Sequence, residues 1–124
     1  MSLKNRISFE YYEAHGRCEF LEFLDTLPIA DQAKVLATIS NIEEQGLLLA
    51  SRLKWIKKLE KNLYEIRAKR GNNVQRVVYF HLVGNRYLIT HGFTKKNMKT
   101  PENEIIHAKM IREKYFRARE ANNE

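Results

Sequence analysis

The chain has 124 residues, 44% of them hydrophobic, and a formal net charge of +7. That length allows one domain spanning 1–124 with a modest core, and that apolar share argues against disorder. No run approaches the roughly 18 apolar residues of a membrane helix, and the opening stretch lacks the apolar core of a signal peptide, so membrane partners are not expected and a cytoplasmic address is the default.

The charge is unevenly distributed. Residues 1–50 carry four Lys/Arg against eight Asp/Glu, residues 51–100 carry thirteen against two, and the last 24 residues carry five of each. A mildly acidic half is thus joined to a strongly basic one. Such asymmetry suits a phosphate-binding surface, because affinity for nucleic acid grows with each phosphate neutralised. A basic but idle solvated face would look the same.

In chain order, residues 7–12 read as a short strand rich in aromatic and β-branched side chains. In RCEFLEFLDTLP, Phe20, Phe23, Leu24 and Leu27 recur at helical spacing, and Pro28 stops or restarts the helix. The following PIADQAKVLATISNIEEQG places Ile29, Ala33, Leu36 and Ile39 on one stripe, with Ala37 beside it. Asp31 favours the start of that helix and Gly46 its end. Cys18, the single cysteine, excludes an intrachain disulfide and a multi-thiolate zinc site, and reads as a small buried hydrophobe in a helix. The two helical segments are expected to form an antiparallel pair.

After LLLASR the period becomes that of strands, over 55–59, 63–69, 74–83 and 86–94. Arg70-Gly71-Asn72-Asn73 and Gly84-Asn85 are hairpin turns by composition. A final helix begins at Thr100-Pro101, with Thr100 as N-cap, and puts Ile105, Ala108, Ile111 or Arg112, and Tyr115 near one face. The sum is α+β: a strand and a helical pair on a mainly antiparallel sheet, then a C-terminal helix. One sheet face must be packed by helices, and the other is expected to lie open and basic.

No metal site is spelled out: His15, His81, His91 and His107 fall on unlike elements, and neither a Gly-rich phosphate loop nor a nucleophile elbow occurs. In Leu63-Tyr64-Glu65-Ile66-Arg67 alternation points Tyr64 and Ile66 inward and stands Arg67 on the open face. There its guanidinium can hold a phosphate by two parallel hydrogen bonds, or can form a surface pair with Glu65; spacing does not choose between these. Arg76 opens the next strand opposite Arg67, but its parity groups it with Val78 and Phe80. A second cluster, His91-Gly92-Phe93-Thr94-Lys95-Lys96, closes the last strand with two lysines that can neutralise phosphate or carry a proton. Phe93 reads as core before it reads as a base-stacking platform. Lys57 and Lys58 add charge on the first strand of the meander, and Arg86 on the last, so that Lys57, Lys58, Arg86, His91 and Lys96 are the candidate RNA contacts.

The ordered motifs L-Y-E-I-R (63–67), R-V-V-Y-F (76–80), H-G-F-x-K-K (91–96) and T-P-x-x-E-I-x-x-A (100–108) resemble those of the phage-type HigB toxins of the RelE/ParE superfamily, over roughly residues 5–118. The resemblance implies a RelE-like fold and a HigA-like helix-turn-helix antitoxin partner. It also implies endonucleolytic cleavage of mRNA, usually on the ribosome, by attack of the 2′-hydroxyl on the adjacent phosphate, with no metal or other cofactor. The phosphate-holding arginines of that family fall on Arg67 and Arg76, and its basic loop on Lys95 and Lys96, with Lys95 the third catalytic candidate. No Glu–His pair is evident for proton transfer. Two other readings remain open: a ParE-like poison of DNA gyrase, and a non-enzymatic nucleic-acid-binding regulator.

Overall fold

Residues 6–94 and 99–122 are described by a computed structural model. The elements run β1 (Ser8–Tyr11), α1 (Glu19–Asp25), α2 (Ile29–Gln45), α3 (Leu47–Arg52), β2 (Ile56–Glu60), β3 (Leu63–Arg70), β4 (Asn73–Val83), β5 (Arg86–Thr94) and α4 (Glu102–Asn122). The α+β class holds. The five strands form one sheet in the order β1-β5-β4-β3-β2, antiparallel except where β1 pairs in parallel with β5. Gly71 and Gly84, at φ 60° and 57°, make the tight β3–β4 and β4–β5 turns that their left-handed backbone permits.

On one face, Phe20 and Leu24 of α1 and Val35, Ile39 and Ile42 of α2 pack on Ile66, Ala68, Val77, Tyr79 and Ile89. α1 lies over β5 and α2 over β3, each packing on the sheet rather than chiefly on its partner, so the expected helical pair is two separate sheet coverings. Contact with α1 is close: a β-carbon on Gly92 would fall 2.4 Å from the Phe23 ring.

The other face is not open. α4 lies across it and builds a second core from Ala108 against Leu63, Val78, Phe80, Leu88 and Phe93, with Ile105, Tyr115 and Phe116 around them. Covered on both sides, β4 is buried continuously from Gln75 to Phe80, the pattern of a central strand with helices on both faces.

Other local expectations also shift. The buried stripe of α2 is Asp31, Val35, Thr38, Ile39 and Ile42, while Ile29 and Leu36 are exposed. The helix turns Asp31 inward because its carboxylate accepts from Arg70 Nε at 2.6 Å and Asn73 Nδ2 at 3.4 Å, anchoring α2 to the β3–β4 turn. LLLASR is itself the short helix α3. Cys18 is buried but caps α1 rather than lying within it. Thr100 precedes α4 by two residues, and its hydroxyl is committed elsewhere, to Glu65.

A cationic cleft at the edge of the sheet

The β2–β3 pairing ends at Ile56↔Ile66, beyond which β3 has a strand on one side only. An open cleft of about 320 Å³ lies at that edge. α2 contributes Lys34, Thr38 and Asn41, the segment before β2 contributes Leu53, Lys54 and Trp55, β3 contributes Arg67 and Lys69, and β4 contributes Val74. Four of these nine residues are cationic and none is acidic. The segment is held by backbone N–H donors: Leu53 to Leu49 O, Lys54 to Ser51 O, Trp55 to Ala50 O, and Arg67 to Trp55 O at 2.7 Å. Those bonds hold Lys54 at φ 62°, a left-handed conformation that a side chain with a β-carbon rarely adopts.

Arg67 is half-buried, and its Nε is shielded from solvent with no hydrogen-bond acceptor among the described residues. A guanidinium that lines an acid-free cleft has the chemistry to hold an anion. Arg76 stands directly across the strand pair from Arg67. It is buried, with Nη1 donating to both carboxylate oxygens of Glu65 at 3.2 and 3.3 Å. The Thr100 hydroxyl donates to the same carboxylate at 3.0 Å. Glu65 therefore pairs with Arg76 in the interior, not with Arg67 at the surface.

A second polar group lies under the start of α4. His91 is 5% exposed, with Nε2 at 3.1 Å from Glu104 Oε1 and Nδ1 at 2.9 Å from Thr90 Oγ1. The His107 ring meets it edge-on at 4.8 Å, and His107 Nε2 lies 2.7 Å from Glu19 Oε1. Burial, and then the charge of His107, push the His91 pKa below the ordinary histidine value. The Thr90 hydroxyl also lies 3.2 Å from Val78 O, to which it can donate, so both ring nitrogens sit against polar partners inside the fold. This Glu–His pair escaped the sequence because its members lie on β5 and α4, and a bulge in β5 at Thr90 sets the register that joins them.

Of the residues singled out from sequence, Arg67 lines the cleft and Arg76 backs it. Lys57 is exposed opposite Glu65, whereas Lys58, opposite Tyr64, projects to the other face. Arg86 lies at the far end of β5 from Thr94 and is held by Glu10 at 2.6 and 2.9 Å. His91 belongs to the interior with both ring nitrogens engaged, and Phe93 belongs to the second core. Lys95 and Lys96 lie outside the described residues. Lys34, Asn41, Lys54, Trp55 and Lys69 were missed; the basic count of 51–100 hinted at Lys54 and Lys69, and nothing marked Lys34 or Asn41.

Among the described residues no three or more His, Cys, Asp or Glu are grouped to hold a metal ion, and no helix is long and apolar enough to cross a membrane. The arrangement defines a small α+β protein with a cationic cleft at an open sheet edge. Residues 22–113, a span that includes every cleft residue, match the family described as Phage derived protein Gp49-like (DUF891), and the chain belongs to that family. No curated protein matches it. Among solved structures it is similar to a chain of the archaeal RelE–RelB complex from Pyrococcus horikoshii OT3, with 20% identity, 77% of this chain and 99% of that chain covered, and a TM-score of 0.49.

Proposed function

We propose that this chain is the toxin of a type II toxin–antitoxin pair, a HigB-like endoribonuclease that cuts mRNA on the translating ribosome and arrests growth. The observation that carries the reading is the acid-free cleft, which Arg67 lines together with Lys34, Lys54 and Lys69. Membership of the Gp49-like family and the four ordered motifs support it.

In this reaction the 2′-oxygen gives up its proton and bonds to the adjacent phosphorus. The bond to the 5′-oxygen breaks and that oxygen takes a proton, leaving a cyclic phosphate and a 5′-hydroxyl. The guanidinium of Arg67 donates to the non-bridging oxygens, whose charge grows in the pentavalent transition state. The three lysines offset phosphate charge on binding. Arg76, tied to Glu65, supports Arg67 across the strand pair and acts as a positioning residue. Lys95 is the third catalytic candidate, with the proton-transfer group unassigned, and a HigA-like helix-turn-helix antitoxin is the partner that restrains the activity.

Growth and primer-extension mapping of mRNA ends after induction test the reading. Wild type is expected to arrest growth with new ends. Arg67→Ala is expected to lose these by about 10²- to 10³-fold, the usual effect of removing one donor to a transition-state oxyanion, while keeping its urea midpoint. Arrest without new ends would replace this reading with a gyrase poison, and folded protein that neither arrests growth nor cuts would replace it with a binding regulator.

A further inference from the structure

The four cations explain why the cleft attracts phosphate but not the rest of its lining. Trp55 is half-buried, packing against the first core while also lining the cleft. Asn41 is exposed, and its amide has no hydrogen-bond partner among the described residues. Thr38 offers less, because its hydroxyl already donates to Lys34 O at 2.7 Å. An indole surface, a free amide and a cluster of cations are the three chemistries that a nucleotide presents in reverse: a flat base, a base edge with donors and acceptors, and a phosphate. The volume, about 320 Å³, sits at the low end of small-ligand clefts. It suits one nucleotide unit and not a duplex, whose bases are stacked out of reach.

We propose, building on the RNA-cleaving function above, that the cleft is a subsite for a single unstacked nucleotide of single-stranded RNA. The base lies against the Trp55 indole, its edge meets the Asn41 amide, and its phosphate rests on Arg67 flanked by Lys34, Lys54 and Lys69. The backbone bonds that hold residues 53–55, with the packing of Trp55 on the first core, set the segment in place before the nucleotide arrives, which lowers the ordering cost of binding. The substrate class that follows is mRNA presented without secondary structure.

Trp55 is the only tryptophan in the chain, so its fluorescence reports this subsite alone. The probes are a short single-stranded 2′-O-methyl RNA, which has no free 2′-hydroxyl to attack, the same strand with abasic sites, and its duplex. The intact single strand is expected to quench Trp55 emission and to bind about tenfold tighter than the abasic strand, in line with the loss of one base–aromatic stack. The duplex is expected to leave emission unchanged. Asn41→Ala, an exposed position, is expected to weaken the intact strand several-fold and leave the abasic strand unaffected. With binding read by anisotropy of end-labelled strands, Trp55→Phe is expected to retain more of the preference than Trp55→Leu.

Equal affinity for intact and abasic strands, or binding without quenching, would overturn the subsite and leave the phosphate cleft and the RNase reading in place. Base-dependent quenching in a protein that makes no new mRNA ends on induction would support the subsite while removing the RNase reading.

Discussion

Beneath α1 and α2 the sheet buries Ile66, Ala68, Val77 and Ile89 against Phe20, Val35 and Ile42. Beneath α4 it buries Glu65, Arg76 and His91 beside Val78, Phe80 and Leu88. Each face is covered by helix and has an apolar core. Yet the α2 side keeps its polar anchor, Asp31 with Arg70, at the helix start, while the α4 side buries an ion pair within the sheet itself. An apolar interface yields gradually, in proportion to the area and volume lost. A buried ion pair behaves differently, because either partner alone is an uncompensated charge in a poor solvent for it. The polar face is also the one whose strand residues include Arg67, so the pairing that costs most to break lies directly behind the cleft.

The sharpest way to break this contrast is Glu65→Ala. It removes the buried carboxylate to which Arg76 Nη1 and the Thr100 hydroxyl donate, and urea unfolding is expected to show a loss of about 3–5 kcal/mol. The double change Glu65→Leu with Arg76→Met is expected to recover most of it, and a single variant no worse than a surface change would erase the distinction between the faces. Next comes Ile42→Ala on the apolar face, fully buried in wild type. A cost of about 2–5 kcal/mol is expected, set by how far α2 collapses into the cavity.

A smaller effect separates the faces by pH. The unfolded chain titrates His91 near 6.5, whereas burial lowers its pKa in the fold. On acidification the unfolded state takes up that proton first. The contribution of His91 is therefore full above about pH 6.5 and is lost as the pH falls through that value towards the lowered one. Glu104 and His107 of α4 and Glu19 of α1 face the same ring or its neighbour. Urea midpoints from pH 7.5 to 5 are expected to fall less steeply in His91→Asn, and parallel profiles would assign the slope to other groups. The smallest effect belongs to Arg86→Ala: its pair with Glu10 is solvent-exposed, and no resolvable shift in midpoint is expected.

Much of the sheet was legible because strand periods and Gly/Asn turns are local signals. The strands at 63–69 and 86–94, the turns at Gly71 and Gly84, and the opposition of Arg67 to Arg76 all follow from them. What escaped was set at long range. Alternation assigned Glu65 and Arg67 to an open face, and only the docking of α4 turns that face into an interior where Glu65 is buried. The stripe of α2 was misplaced because Asp31 reads as a solvent residue until Arg70, far along the chain, supplies its partner. The cleft draws on α2, the segment before β2, β3 and β4, so no window of sequence contains it; Lys34 even comes from the acidic half.

The parallel pairing of β1 with β5 carries a consequence for how the protein comes into being. Ser8 finds its strand partner only at Arg86, and Tyr11 only at Ile89. A chain made from its N-terminus thus holds its first strand unpaired until its last strand exists, and closing so long a loop is slow relative to local hairpins. The β3–β4–β5 meander can zip as it emerges, whereas the edge formed by β1 waits for nearly the whole polypeptide. Native structure for this reason requires β5, and a fragment that stops before it has no place to lay its first strand.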